Sequence, residues 1–350
     1  MCSSDLVYIP KPDGKQRPLG IPTIKDRVAQ MAVLAVLGPI FEADLQPEQH
    51  AYRPGKSALD AVQQVQALMI QGHTEVIDAD LSGYFDSIPH AELMKAVARR
   101  VSDRHLLALI KAWLVMPVEE IDERGRKQRT TRNRDEGRGT PQGAPISPLL
   151  SNLYMRRFIL GWKVLGHERR FDAHIVNYAD DFVICCRGSA EEALTAMRDM
   201  MAKLKLTVQE AKTRLCRGPD EPFDFLSYTI GRCYTPQTGW AYIGVRPSDR
   251  SIQRLKLKLR VQTERRWTWR DVDETVARLN HLLGGWVNYF CLGTVTKAYR
   301  AVTAHARDRL RRWLKQKFDL RGPQKARFSD RYLHETLGLL RLQRPSARRV

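Results

Sequence analysis

HIVNYADDFVICC, residues His174–Cys186, contains two apolar runs that flank the adjacent carboxylates of Asp180 and Asp181. β-Branched and aromatic residues on both sides of the Ala-Asp-Asp triplet favour two strands joined by a tight turn. The carboxylates would then lie at the tip of a hairpin with buried strands. An acidic pair in a solvated turn is the simpler explanation, but carboxylates beside a core are costly without a partner. A divalent cation would stabilise both, so the segment predicts a metal site.

A second acidic segment, EVIDADLSGYFDSIPH (residues 75–90), also begins as an apolar strand. If the two segments form neighbouring strands, Asp80 and Asp180 meet at one point, where oxygen ligands suit Mg²⁺ or Mn²⁺. Two such ions serve nucleotidyl transfer, because one lowers the pKa of the attacking 3′-hydroxyl and the other neutralises the triphosphate. Asp78 and Asp86 equally well suit structural positions on the surface.

The composition is that of a globular protein. Its 350 residues are enough for a large core and two or three structural units. Of these residues 43% are hydrophobic and 28% charged, which is typical of a soluble globular protein. We find no apolar run that could span a bilayer and no targeting segment at the N-terminus, and therefore expect a bacterial cytoplasmic protein without a membrane partner. The six cysteines and nine histidines show no zinc-ligand spacing, so a zinc-dependent module is not expected.

The net charge of +19 is concentrated near the C-terminus. Residues 251–350 contain 24 lysines and arginines against 8 acidic residues. A field of one sign indicates a polyanionic partner, and nucleic acid fits better than a membrane because no amphipathic aromatic anchor accompanies the charge. A solvated basic surface is the simpler alternative. Basic residues and leucines alternate over residues 254–260, which predicts a strand-like or irregular start for this region.

Residue patterns predict the order of the structural elements. A hairpin is expected over Val7–Pro22 with its turn at Pro12-Asp13-Gly14, and the polar residues 117–139 are expected to form a hairpin or a mobile loop. Hydrophobic periodicity and capping predict helices from Lys25 to Phe41, after an N-cap at Ser57, twice between Ala91 and Met116, from Ser147 onward, over Ala190–Leu206, and at about 248–267, 271–290 and 294–318. In the last region Trp286 and Tyr289 suit a helical core better than a nucleic-acid surface.

Taken in order, these segments resemble the reverse transcriptases encoded by group II introns. The similar segments, besides the two acidic ones, are IPKPDGKQRPLGIP (9–22), HAYRPGKSALDAV (50–62), GTPQGAPISPLLSNLYM (139–155), LTVQEAKTR (206–214), FDFLSYTI (223–230) and LNHLLGGWVNYF (279–290). The resemblance implies an α+β right-hand polymerase. Fingers and palm would occupy residues 1–235, with an antiparallel palm sheet in about 73–94 and 174–235. A basic helical thumb or maturase domain would occupy residues 236–350.

The resemblance also implies which residues act. The catalytic metal ligands would be Asp80, Asp180 and Asp181, with the backbone carbonyl of Leu81, and Asp78 and Asp86 would not be ligands. The ring of Phe85 would exclude a ribose 2′-hydroxyl. The remaining nucleotide-binding residues would be Lys11, Arg17, Gln142 and Lys212. The nucleic-acid-binding residues would be Arg53, Lys56, Tyr178, Arg254, Lys256, Lys258, Arg311 and Arg312.

The implied activity is copying of RNA into DNA with two Mg²⁺ ions, or Mn²⁺, for the splicing and mobility of a group II intron. Its partners would be an RNA template and primer, dNTPs and the intron RNA. The alternative is an RNA-binding splicing maturase with weak or lost polymerase activity. A retron-like enzyme and an RNA-templated RNA polymerase fit less well, because of the thumb segment and Phe85 respectively. Two departures from the family are expected, a missing N-terminal segment and no endonuclease domain after the thumb.

Overall fold

The computed structural model describes residues 4–10, 16–121, 127–235, 237–321 and 327–344, which form two compact units, Met1–Arg217 and Gly218–Val350. In the first unit the strands are β1 (Ser4–Pro10), β2 (Gln16–Pro22), β3 (Glu75–Ala79), β4 (Val118–Ile121), β5 (Lys127–Thr130), β6 (Ala173–Tyr178), β7 (Asp181–Cys186) and β8 (Arg214–Arg217). Its helices are α1 (Ile24–Glu42), α2 (Ala58–Ile70), α3 (Tyr84–Ser87), α4 (His90–Val97), α5 (Arg104–Leu114), α6 (Arg132–Glu136), α7 (Ser147–Val164), α8 (His167–Arg170) and α9 (Ala190–Lys203).

The second unit contains a small sheet and a helical region. Its elements are β9 (Phe223–Phe225), β10 (Tyr228–Tyr234), β11 (Ala241–Pro247), α10 (Asp249–Gln262), α11 (Val272–Tyr289) and α12 (Thr296–Lys317). The three strands pair antiparallel in the order β11-β10-β9. The unit boundary at Arg217 precedes the predicted domain boundary at residue 235, because in the described chain these strands pair with one another.

The sheet that carries the acidic segments is antiparallel throughout, as predicted, with the order β6-β7-β3-β8. Its central strands are buried on both faces. Ile77 and Ile184 belong to the same core cluster as α7 and α9, while α2 contacts β6 and β7. Because the β3–β7 register pairs Ala79 with Phe182, its continuation places Asp80 opposite Asp181.

A second sheet, β2-β1-β4-β5, contains the predicted N-terminal hairpin. Its predicted turn at Pro12-Asp13-Gly14 lies outside the described residues. The polar segment that follows α5 forms the β4–β5 hairpin and then α6, which confirms the hairpin among the two structures expected for it. The helices predicted elsewhere in this unit are present, and Ser57 caps α2 in a capping box with Asp60.

The helices of the second unit are also present where they were predicted. The irregular start expected over residues 254–260 is wrong, because these residues form the regular helix α10. Leu255 and Leu259 lie four positions apart and are buried, whereas Leu257 is exposed, so the alternation contains a helical stripe. Trp286 is buried and Tyr289 half-buried, as a core position requires. Among the described residues, no helix is both long and apolar enough to cross a membrane.

We predict that Trp162→Phe destabilises the first unit by about 1–3 kcal/mol. The Trp162 side chain is fully buried in α7, and its Nε1–H donates to the carbonyl of Ala173 at 3.0 Å. The phenyl ring leaves that carbonyl without its donor and opens a small cavity. Urea unfolding followed by circular dichroism measures the change.

Trp240→Phe is the matched control, because 76% of the Trp240 side chain is exposed. Its free energy of unfolding should change by less than about 0.5 kcal/mol. Equal effects of the two substitutions would contradict the structural role of Trp162.

Candidate active site

The acidic turn joins β6 to β7 through two residues, Ala179 and Asp180, because Tyr178 pairs with Asp181. Ala179 has a φ of 59°, a left-handed conformation that costs a non-glycine residue roughly 1–2 kcal/mol. The buried side chain of Asn177 holds the turn in this shape. Its Nδ2–H donates to the carbonyl of Ala179 at 2.9 Å and to that of Asp181 at 3.4 Å.

Asn177 also anchors the hairpin to the segment before α2. Its backbone N–H donates to the carbonyl of Glu48, and its carbonyl accepts from the N–H of His50, both at 2.9 Å. Asn177 was not among the predicted site residues. Its amide lies inside an otherwise apolar strand, and a buried amide needs hydrogen-bond partners, so the sequence did indicate a structural role for it.

Asp80 lies directly after β3, where the chain meets residues 207–209. The carbonyl of Asp80 accepts from the N–H of Gln209 at 2.8 Å, and the N–H of Ser82 donates to the carbonyl of Thr207 at 2.8 Å. These two bonds flank the bridge between Leu81 and Val208. The carbonyl of Leu81 therefore takes no part in this pairing, and its role as a ligand stays a prediction.

Asp80 and Asp181 line one cleft of about 350 Å³. Its other lining residues are Asp78, Ala79, Ala211, Lys212 and Arg214. The ammonium of Lys212 donates to Oδ2 of Asp80 at 2.5 Å, and Nε of Arg214 lies 3.1 Å from Oδ2 of Asp78. Asp78 and Asp80 thus each have a basic partner from residues 212–214.

Burial and crowded negative charge together determine the electrostatics of this cleft. The pKa of Asp181 is raised to about 7, first by desolvation and then by the charges of Asp180, Asp80 and Asp78, while Lys212 lowers it. Asp181 lines the cleft, and the residue as a whole is exposed. A cation bound in the cleft would offset the repulsion between these carboxylates.

The predicted ligands are near one another without converging fully. Asp180 affects the pKa of Asp181 but does not line the cleft. In the described part of the chain, the three side chains whose ligand atoms lie within 4.8 Å of one another are His73, Asp172 and His174, none of which is a predicted ligand. The carboxylates of Asp80 and Asp181 nevertheless fit a divalent cation, because Mg²⁺ prefers oxygen ligands. The ammonium of Lys212 now offsets part of their negative charge, as a bound cation would.

Phe85 lies in α3, and Gln142 and Gly143 lie in the loop before α7. The carbonyl of Phe85 accepts from the N–H of Thr140 at 2.7 Å, which ties α3 to the segment that contains Gln142. Nε2 of Gln142 donates to both carboxylate oxygens of Asp86 at 3.1 and 3.2 Å. Asp86 therefore orients a predicted nucleotide-binding residue, which is the kind of structural role expected for it.

The side chains of two of the four basic residues predicted in the fingers, Arg53 and Lys56, are described in the structure. Lys11 lies outside the described residues, and only the backbone of Arg17 is described, paired with Ile9 in the β1–β2 hairpin. Arg53 is largely buried, with Nε donating to Glu42 at 2.8 Å and Nη1 donating to two backbone carbonyls. Lys56 donates to the carbonyl of Pro47. Contacts of these four residues with ligands stay predictions, and Arg53 has a structural role.

The predicted RNA-contacting residues of the second unit also divide into two groups. Arg254, Lys258 and Arg312 are exposed, and Lys256 is half-buried. Arg311, by contrast, is only 5% exposed. Its Nε donates to the carbonyl of Phe328 at 2.9 Å, and its guanidinium pairs with Asp308 and Asp330. Arg311 is thus held by two carboxylates of its own unit, and its contact with nucleic acid stays a prediction.

Two family models match this chain. Residues 9–230 match the model described as reverse transcriptase (RNA-dependent DNA polymerase). Residues 252–333 match the model described as group II intron, maturase-specific domain. The predicted segments from the fingers hairpin to the small sheet fall in the first match, and those of the helical region in the second.

Curated relatives match over part of their length. Protein YkfC of Escherichia coli (strain K12) is 34% identical over 262 residues, which are 65% of this chain and 66% of YkfC. The group II intron-encoded protein LtrA of Lactococcus lactis subsp. cremoris is 26% identical over 286 residues, 64% of this chain and 46% of LtrA. The chain thus spans less than two thirds of the length of each.

A solved structure of apo telomerase from Candida Tropicalis is similar in fold, with a TM-score of 0.50 and 10% sequence identity. The match covers 97% of this chain and 70% of that chain. At this identity the likeness concerns the fold alone. Together with the antiparallel sheet and the helical second unit, it confirms the predicted α+β polymerase fold class.

Gly143 provides a test of the packing around Gln142. Its φ is 108°, and an added Cβ would lie 3.1 Å from the carbonyl oxygen of Gly20. We predict that Gly143→Ala destabilises the first unit by about 2–4 kcal/mol, since backbone strain and a steric clash act together. Urea unfolding measures the loss.

Gly55→Ala is the matched control, because Gly55 also has a positive φ, 71°, but faces open space. It should cost about 1 kcal/mol from backbone strain alone. A Gly143→Ala variant as stable as Gly55→Ala would refute the close approach to Gly20.

Proposed function

This chain belongs to the reverse transcriptase (RNA-dependent DNA polymerase) family, and we propose that it is the RNA-directed DNA polymerase of a group II intron. It would copy RNA into DNA and also bind the intron RNA as a splicing maturase. The observation that supports the polymerase activity is the cleft between two strand ends, where Asp80 and Asp181 lie together. Carboxylates held in this way by a rigid sheet suit two-metal nucleotidyl transfer.

Mg²⁺ is the proposed cofactor, as two ions, with Mn²⁺ able to replace it. The residues that would hold them are Asp80, Asp180 and Asp181, with the carbonyl of Leu81. Such ions supply charge that lowers the pKa of a 3′-hydroxyl and neutralises a triphosphate. The charge repulsion around Asp181 and the accessible mouth of the cleft support this assignment.

The chain itself would bind and orient the dNTP. Lys212 reaches the cleft and would turn to a phosphate, as would Lys11 and Arg17 from the fingers hairpin. Gln142 would exchange its bond to Asp86 for one to the nucleotide. Because the Phe85 ring packs against Tyr84 at 5.7 Å, it would be rigid enough to exclude a 2′-hydroxyl.

The proposed partners of the second unit are the RNA template, the primer and the intron RNA. A groove of about 1030 Å³ there is lined by four arginines, Arg300, Arg307, Arg341 and Arg344. On α10, Arg254 and Lys258 are exposed, and the Trp269 side chain is 71% exposed. Exposed cations and an exposed aromatic ring bind phosphates and stack on bases.

The second candidate is a splicing maturase with weak or lost polymerase activity. It shares the RNA-binding second unit, so RNA binding does not separate the two proposals. The meeting of Asp80, Asp181 and Lys212 at the cleft favours the polymerase. Primer extension separates them.

Asp181→Asn and Asp80→Asn should each reduce primer extension on an RNA template by on the order of a thousandfold or more, because each removes ligand charge worth several kcal/mol. The assay uses the full chain, a DNA primer, dNTPs and Mg²⁺. RNA binding, measured by fluorescence anisotropy, should be retained within about threefold.

Asp199→Asn is the control, since Asp199 is an exposed carboxylate on α9 away from the cleft. It should extend the primer at the unsubstituted rate. Unchanged extension by either cleft variant would overturn the catalytic assignment, and no extension by the unsubstituted chain would favour the maturase.

Phe85→Ala should lower the preference for dNTPs over rNTPs by about tenfold or more, because the ring no longer opposes a 2′-hydroxyl. Single-nucleotide incorporation at matched dNTP and rNTP concentrations measures the preference. Phe318→Ala, at an exposed position of the second unit, is the control. Unchanged discrimination in Phe85→Ala would exclude Phe85 as the steric gate.

A further inference from the structure

A cluster of two histidines and one aspartate lies at the far end of the β6–β7 hairpin from the acidic turn. His73 follows α2, Asp172 precedes β6, and His174 is the second residue of β6. Their ligand atoms all lie within 4.8 Å of one another. Nε2 of His73 is 3.0 Å, and Nε2 of His174 is 3.7 Å, from the same oxygen, Oδ1 of Asp172.

The other nitrogen of each ring also faces an oxygen acceptor. Nδ1 of His73 lies 3.2 Å from the carbonyl oxygen of Leu68, and Nδ1 of His174 lies 3.5 Å from Oε1 of Glu168. A neutral imidazole has one N–H and one lone pair. If the Nδ1 atoms donate to these acceptors, both Nε2 lone pairs point at one carboxylate oxygen. That arrangement turns three electron-rich atoms toward one another, and a metal ion between them would offset their repulsion.

The distances match those of a metal site. Zinc–ligand bonds of about 2.0–2.1 Å in a tetrahedral site separate neighbouring ligand atoms by roughly 3.3 Å. The observed 3.0 and 3.7 Å lie on either side of that value. Histidine ligands of metals usually donate their second N–H to a carbonyl or carboxylate, as the carbonyl of Leu68 and Glu168 would accept here.

We propose that His73, Asp172 and His174 bind one divalent transition-metal ion, for which Zn²⁺ is the reference. The ligand atoms would be the two Nε2 atoms and Oδ1 of Asp172, with water completing the coordination. Two imidazole ligands favour Zn²⁺ over Mg²⁺, which prefers oxygen. This site would therefore select Zn²⁺, whereas the carboxylate cleft would select Mg²⁺.

The surroundings allow the ion to enter and hold its ligands in place. His73 is 5% exposed, whereas the side chains of Asp172 and His174 are 47% and 35% exposed. Nε of Arg187 lies 3.5 Å from Oδ2 of Asp172, so it orients the carboxylate through the oxygen that the rings do not face.

The role of this ion would be structural. It would join the end of α2, the residue before β6 and β6 itself, at the base of the hairpin that carries Asp180 and Asp181. The four strand steps from His174 to Tyr178 alone span about 13 Å, and Asp180 lies beyond them in the turn. Metal bound here therefore takes no part in nucleotidyl transfer.

Calorimetric titration of the full chain with Zn²⁺ tests the proposal, after chelator treatment and in excess Mg²⁺ to occupy the carboxylate cleft. One Zn²⁺ per chain should bind and raise the unfolding temperature. His174→Gln and Asp172→Asn should each weaken the affinity by about tenfold to a hundredfold or more. Both positions are partly exposed, so these variants avoid the buried His73.

His105→Gln is the matched control, because His105 is exposed on α5. Its Zn²⁺ affinity should equal that of the unsubstituted chain, and Asp181→Asn should also retain Zn²⁺ binding. Co²⁺ should give visible absorption bands of a four-coordinate site, and these bands should disappear in His174→Gln. Absent stoichiometric binding, or equal affinity in His174→Gln, would mean that the rings only contact Asp172 directly and would overturn the proposal.

Discussion

The antiparallel register of β3 and β7 is the constraint on which the candidate active site depends. Ala79 pairs with Phe182, so Asp80, just after β3, lies opposite Asp181 at the start of β7. Burial fixes this register, because Ile77 and Ile184 are paired and lie in the same core. A shift of one residue would turn alternate side chains to the opposite face of the sheet. The hydrophobic core therefore determines where the carboxylates meet.

Placing like charges together has an electrostatic cost, and the structure shows how the chain offsets part of it. Lys212 and Arg214 pair with Asp80 and Asp78, and they come from β8 and the residues just before it. The raised pKa of Asp181 shows that repulsion and desolvation remain. The turn itself is strained at Ala179 and is held by Asn177. Stability and chemistry thus oppose each other here, as is common where function requires strain.

The sequence predicted most elements, because their apolar periodicity and caps are local properties. The hairpin around Asp180, the helix that Ser57 caps and the strand before Asp80 all depend on near neighbours in the chain. Contacts between distant residues were not predictable in this way. Arg311 lies in a basic stretch of the sequence but is held by Asp330. Residues 254–260 of α10 resembled a strand because charged residues alternate there with leucines, of which only Leu255 and Leu259 are buried.

The same limit explains the two features of β6 that the sequence did not reveal. His73 is separated from Asp172 by 99 positions, so no ligand spacing joins them. Asn177 has its role only through a turn conformation and contacts with residues 48–50. Both ends of the β6–β7 hairpin are therefore defined by tertiary contacts, one around carboxylates and one around imidazoles.

We propose that the ends of β3 and β7 together form one cation site. Mn²⁺ binding measured by electron paramagnetic resonance, after preincubation with stoichiometric Zn²⁺, tests this site most directly. The unsubstituted chain should bind Mn²⁺, and removing the carboxylate of either Asp80 or Asp181 should abolish this binding. Undiminished Mn²⁺ binding when either carboxylate is removed would contradict a site shared by the two strands.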